Sequence, residues 1–428
     1  PNSSESIARA VIGLLDDRAQ LDAVKRRAYQ AGRRTIWPRF AAASAALVRE
    51  TVARPASPPP MTAQPGLNGV FAMCDATGIL QHAIGIIPDR RHGYCLDDNA
   101  RALILMNVAE GVTAIERLHW SSTFASFIQH AWNQDRRCFR NFMRFDRTWC
   151  EEAGSEDSNG RALWALGHTA ANAPDPDMRK WGRRWFDIAV TPFEAIDSPR
   201  ALAFAMLGAA ELARHDEQHR EALALLERGG NVLSYLLAES RRPSWSWFEA
   251  VLAYDNPRMP QALIEAGTIL ERADWVSLGL ETLEWISERQ TATQGHFRPV
   301  GSEGFGRAYD QLPFDQQPLE AQAAIDAASS AFSASRDYRW IERAASAYRW
   351  YLGENDRAVV LGDLASGRCR DGVTPHGVNE NCGAESIIGF QLAHAAIVRL
   401  LREAGAPRDT GELLETRLDS NRNALAHP

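Results

Sequence analysis

The chain has 428 residues, and 47 Lys+Arg against 54 Asp+Glu give a net charge of −7 with a pI near 5.9. That mild acidity argues against nucleic acid or an anionic membrane as the main partner, since both ask for a basic stripe. Hydrophobic residues at 45% and charged ones at 24%, with 30 Gly and 21 Pro, exclude collagenous and low-complexity chains and fit a globular protein. No apolar run approaches the ~18 residues of a membrane span, and no signal peptide is expected. The six cysteines, Cys74, Cys95, Cys138, Cys150, Cys369 and Cys382, form no CxxC pair. A disulfide scaffold or a structural zinc is therefore not expected, and reduced thiols in a cytoplasm are. A loose grouping of His82, His92 and Cys95 suits packing or lining better than metal binding, so neither metal nor cofactor is expected.

Ser3 to Thr51 is expected to be helical. Ile7, Val11, Leu14 and Leu15 recur at helical spacing, and a basic helix follows through Arg34. A further stripe, Trp37, Phe40, Ala43 and Leu47, suits burial as an outer helix of the following domain. The proline-rich stretch from Ala53 to Gly66 marks a linker. This divides the chain into a helical segment over 1–52, a linker over 53–66, a domain over 67–405 and a tail over 406–428.

Beyond the linker, strand patterns are nearly missing. Apolar helices open near Asp97, Ser158, Pro199, Met259, Pro318 and Ala384, mostly about 60 residues apart where solenoid repeats run about 33–47. Between them lie amphipathic helices at Ile115–Trp132, Arg179–Val190, Glu217–Leu237, Trp275–Arg289 and Tyr338–Leu352. A helix apolar all round is buried and an amphipathic one faces solvent. Six such alternations predict an all-α (α/α)6 toroid of six helical hairpins rather than an open solenoid.

Polar residues collect where the inner helices begin. Asp97, Asp98 and Arg101 open the first, Glu156 and Asp157 the second. Trp245, Trp247, Glu249, Tyr254, Asp255 and Asn256 precede the fourth, Gln316 the fifth, and Glu380, Asn381 and Glu385 the sixth. Capping accounts for one acid per helix, but not for paired acids with amides, nor for aromatics in the same loops. Thirteen Trp exceed eight Tyr in the chain. Aromatic faces beside carboxylates form the usual lining of a carbohydrate site, and glycosidic cleavage requires one protonated and one ionised carboxylate. Glu249 is expected as general acid, its pKa raised by the neighbouring tryptophans. Asp157 is expected as base, with Asp98 and Glu385 as competitors. His82 joins the substrate-binding set, and an oligosaccharide is the expected partner.

The string Gly93-Tyr94-Cys95-Leu96-Asp97-Asp98-Asn99-Ala100-Arg101, with six hairpins behind it, resembles the six-hairpin glycosidase superfamily. The resemblance spans roughly Gly66 to Gly405. It implies a toroid with its site at one mouth and, by analogy, hydrolysis with inversion. The Leu14-Leu15 helix, Arg26-Arg27-Ala28-Tyr29 and Thr35-Ile36-Trp37-Pro38 resemble the closing helices of GT-B retaining glycosyltransferases, which implies a portion of a longer, fused protein. The leading expectation is a glycoside hydrolase. The alternatives are a non-catalytic glycan-binding module, a histidine-dependent sugar 2-epimerase, or a phosphorylase on the same scaffold. A terpenoid synthase is excluded because Asp97-Asp98-Asn99-Ala100-Arg101 lacks the further acid of a magnesium-binding DDxxD site.

Overall fold

A computed structural model describes residues 3–32, 60–306 and 313–405. The chain divides into two units, Pro1–Pro59 and Pro60–Pro428. In the first, α1 (Ser4–Asp16) and α2 (Arg18–Gly32) are helical as expected. A capping box between Ser3 and Ser6 starts α1, which keeps Ile7, Val11 and Leu15 exposed. The expected stripe of Trp37, Phe40, Ala43 and Leu47, the Thr35–Pro38 string and the tail over 406–428 lie outside the described residues.

In the second unit, the short α3 (Asn68–Ala72) precedes a ring. Its inner helices are α4 (Leu96–Val108), α6 (Glu156–Asn172), α8 (Pro199–His215), α10 (Arg258–Ile269), α12 (Pro318–Ser335) and α14 (Ala384–Glu403). The outer helices among the described residues are α5 (Ala114–Ala131), α7 (Pro176–Val190), α9 (Arg220–Ser240), α11 (Ala273–Arg289) and α13 (Arg339–Tyr351). Each inner helix packs on the next, and α14 packs back on α4, which closes the toroid. The six expected inner-helix starts and the five amphipathic helices between them are present.

Local chemistry sets these boundaries. Ser155 and Ser198 cap α6 and α8 by accepting backbone N–H bonds at 3.1 and 3.2 Å, and proline opens α8 and α12. Gly167 on α6 and Gly208 on α8 sit where the two helices cross; a Cβ on Gly167 would run into the Gly208 backbone, and one on Gly208 into the backbone of Leu163 and Trp164. By length and hydropathy α14 alone among the described helices resembles a membrane span, but most of it is buried inside the ring. Among the described residues, eight strands of two or three residues form four antiparallel pairs in the loops, such as β1 (Ala83–Ile84) with β2 (Ile87–Pro88) and β7 (Gly372–Thr374) with β8 (Gly377–Asn379). The end of the proposed linker belongs to the ring: Gln391 donates to the Gly66 carbonyl at 2.7 Å, and the Gly66 N–H donates to Leu364 at 2.9 Å.

Candidate functional site

Among the described helices, four of the five connections from outer to inner are long (residues 132–155, 241–257, 290–317 and 352–383) and the fifth spans only 191–198, whereas those from inner to outer are three to five residues. Loop residues and first-turn side chains therefore gather at the N-terminal mouth of the inner helices. Four guanidinium groups organise this mouth. Arg101 on α4 reaches Asp98 Oδ1 at 3.1 Å and, across the closing seam, Glu385 Oε2 on α14 at 2.8 Å. Arg161 on α6 lies 3.6 Å from Asp97 Oδ1 and 2.5 Å from Asp255 Oδ2. Arg258 at the start of α10 approaches Asp255 Oδ1 at 3.4 Å and donates to Asp326 Oδ2 at 2.7 Å. Arg200 on α8 donates to Glu249 Oε2 at 2.6 Å and lies 5.2 Å over the Tyr254 ring.

These pairs are buried to different depths, and the carboxyls respond. Burial pushes Asp98 up to about 7 against the opposing pull of Arg101, and the nearby Glu385 charge raises it further. Its Oδ2 accepts from the Cys95 thiol at 3.1 Å. Glu385, on the same guanidinium, is 41% exposed at its side chain against 4% for Asp98. Asp157 is also raised by burial, opposed by the Ser198 hydroxyl donating to it at 2.9 Å. Glu320 is fully buried and pushed up to about 8, by burial and then by the Asp255 charge. Its Oε1 accepts the Asp255 N–H, while Oε2 is buried without a hydrogen-bond partner. Burial also works on Asp255, but Arg161, Arg258 and Arg101 outweigh it and hold that carboxylate below its usual range. His82, lowered by burial and by its edge contact with His92 at 4.6 Å, lies within electrostatic range of Glu385 and Asp371.

Several of the expected binding residues make contacts that hold the fold. Trp247 is fully buried and stacked on Trp285 at 5.8 Å, so it is core rather than a sugar platform. Trp245 turns its edge to Trp285 and donates its indole N–H to the Glu249 carbonyl at 2.7 Å. The Glu249 carboxylate, 25% exposed, is paired with Arg200, while both tryptophan rings pack on Trp285. Asn256 is buried with its amide spent on Ala253. Gln316 is buried between Asp356 and the Trp350 indole at 2.6 and 2.9 Å. Asn381 accepts the Gly85 N–H at 2.9 Å, and Glu380 sits exposed against Arg370. Glu156 accepts the Ser198 N–H at 2.7 Å, tying its helix to the next.

The mouth thus gathers Asp97, Asp98, Arg101, Asp157, Glu385 and Asp255, with His82 and Tyr254 near them. The sequence pattern does not single out Arg200, Arg258 or Glu320. Each does follow a proline that marks a helix start, at Pro199, Pro257 and Pro318, and proline at a first helical turn was the available signal. Asp187, His219 and Glu221 on the outer layer bring potential ligand atoms within 4.8 Å of one another. Both His219 nitrogens are engaged there, accepting from the Ala222 N–H at 3.3 Å and facing Asp187 at 3.0 Å.

No protein-family model and no curated protein matches the chain. Solved structures do. A cellobiose 2-epimerase from Bacillus thermoamylovorans shares 8% identity, with 79% of this chain and 96% of that one aligned at a TM-score of 0.60. A D-mannose isomerase shares 10% identity over 80% of this chain and 95% of its own, at 0.61. An α-1,6-mannanase of Salegentibacter sp., in complex with α-1,6-mannotetrose, shares 10% over 78% and 96%, at 0.54. The chain has the fold of these proteins, the (α/α)6 toroid on which both sugar epimerases and glycoside hydrolases are built.

Proposed function

We propose that the chain is a carbohydrate-active enzyme that cleaves glycosidic bonds of an oligosaccharide at the N-terminal mouth. One observation carries this reading: Asp98 and Glu385 share the Arg101 guanidinium at 3.1 and 2.8 Å, one buried and one open to solvent. A carboxyl raised to about 7 keeps a proton near neutral pH, and it suits a general acid when an ionised partner stands beside it. Asp98 protonates the leaving glycosidic oxygen, and Glu385 takes the proton from the attacking water. Arg101 holds both in register, while Arg161 and Arg200 fix Asp97, Asp255 and Glu249 around them. The Salegentibacter mannanase is inactive when two consecutive aspartates are replaced by alanine; Asp97 and Asp98 are a consecutive pair at this mouth. Asp98→Asn and Glu385→Gln should each lower turnover by about 10²–10⁴-fold on an oligosaccharide panel run with and without phosphate. Wild-type turnover in both variants would refute the assignment.

A second reading is a sugar 2-epimerase, favoured by His82. A histidine lowered by burial is neutral at pH 7 and able to act as a base. Incubation of a reducing disaccharide in D2O separates the readings: deuterium at C2 without cleavage supports epimerisation, and two monosaccharides support hydrolysis. Binding of oligosaccharide with neither reaction would leave a glycan-binding module.

A further inference from the structure

A second cavity, of about 250 Å³, lies at the C-terminal ends of the inner helices, opposite the mouth. All six inner helices contribute to it: Leu105 from α4, His168 from α6, Leu207 from α8, Glu265 from α10, Ser330 from α12 and His394 from α14. A toroid that needed only a packed core would close this end with apolar side chains, because interiors pack densely and polar groups are costly to bury. Here the charges are instead matched in pairs. Arg214 pairs with Glu265 and lies 3.9 Å from Glu211, which also feels the Arg399 charge; Arg402 pairs with Glu110 at 2.8 Å, and Arg258, behind the wall, with Asp326 at 2.7 Å. An ionic ligand finds no surplus charge of either sign in these pairs.

Unused hydrogen-bonding capacity remains. His394 is 3% exposed, its Nδ1 lies 3.0 Å from the Tyr348 hydroxyl, and its Nε2 has no partner. With that hydroxyl donating to Nδ1, the ring proton sits on Nε2 as a donor. Burial lowers His394 to about 4, so the ring stays neutral. Glu265 and Asp326 each accept bonds already, from Ser330 at 2.5 Å and Gln322 at 3.2 Å, yet a carboxylate carries about four lone-pair sites in all. Leu105, Val108, Leu207 and Leu392 supply an apolar wall. Forked acceptors, a neutral donor, an apolar wall and no net charge, in a space below the about 300–1,000 Å³ of drug-sized clefts, describe one sugar ring.

We propose that this rear cavity binds a neutral, monosaccharide-sized polyol, its hydroxyls held by His394, Glu265 and Asp326. The proposal does not depend on the chemistry of the mouth. To test it, the full chain is 15N-labelled, the imidazole signals are assigned with His394→Phe and His168→Gln, and D-glucose, D-mannose and myo-inositol are titrated in turn. The same titrations are run in Glu385→Gln, which disables the mouth. Saturable shifts of the His394 signal are expected for at least one neutral ligand in both proteins. Apparent affinity should fall at least about tenfold (about 1.4 kcal/mol) in Ala395→Trp, which fills the cavity. Nuclear Overhauser contacts from the sugar to the His394 ring locate the ligand directly if Ala395→Trp fails to fold. An unmoved His394 signal for all three ligands overturns the site, as does the absence of any sugar contact to its ring. Tighter binding of D-glucose 6-phosphate than of any neutral ligand overturns the ligand class.

Discussion

Glu320 shows how one buried carboxyl links the mouth to stability. It lies in the first turn of α12, faces the Asp255 backbone, and is pushed up to about 8 by burial and the Asp255 charge. A carboxyl whose folded value exceeds its ordinary 4.5 binds its proton more tightly in the folded state. Its contribution is therefore fully present below about pH 4.5 and is lost as the pH rises towards 8. Asp98, raised to about 7, acts in the same direction. Glu320→Gln keeps an acceptor for the Asp255 N–H and removes the titration. The variant should therefore melt higher than wild type, by at least about 2 °C, at about pH 9 but not at about pH 5. An equal difference at both pH values would mean that Glu320 is not held protonated.

At the scale of the elements, helix contacts decide how closely the acids approach one another. Asp157 on α6 accepts from Ser198, the cap of α8, at 2.9 Å, and Glu156 accepts the Ser198 N–H at 2.7 Å. This pairing requires the two helices to lie close along their length, and Gly160 against Ala201 and Gly167 against Gly208 allow it. Adding Cβ atoms should force the helices apart. Gly167→Ala is expected to cost about 1–3 kcal/mol in urea unfolding, although the same exchange in an open helix stabilises by roughly 0.5–1 kcal/mol. A gain in stability would show that the crossing is not close-packed.

For the ring as a whole, closure sets cooperativity. The seam between α14 and α4 carries the Arg101–Glu385 pair, and Gln391 on α14 bonds to Gly66 and Gly367. In an open array each unit depends only on its neighbours, so losing the last helix would cost one repeat. In a closed ring it exposes the faces of both α12 and α4. A chain ending at residue 383 should lose its cooperative thermal transition in circular dichroism. A sharp melt with most of the helical signal retained would indicate solenoid behaviour.

The alternation of all-apolar and amphipathic helices was legible from the residues, because burial on every side and burial on one side demand different periodicities. So were the starts of the six inner helices, since proline, serine and acidic residues mark first turns whatever the tertiary surroundings. The gathering of Asp97, Asp98 and Glu385 at one mouth followed from those starts. What each side chain does there depended on depth, which no local pattern encodes. Trp247 and Tyr254 stand in one loop, yet Trp247 stacks in the core on Trp285 while Tyr254 lies beneath Arg200. Asp97 and Asp98 are neighbours in the chain, yet burial raises Asp98 to about 7 while Asp97 lies beside Arg161. The seam that sets Glu385 beside Arg101 joins residues nearly three hundred positions apart. Only closure of the ring brings them together, because contact across a toroid is fixed by the packing of all six hairpins rather than by any one of them.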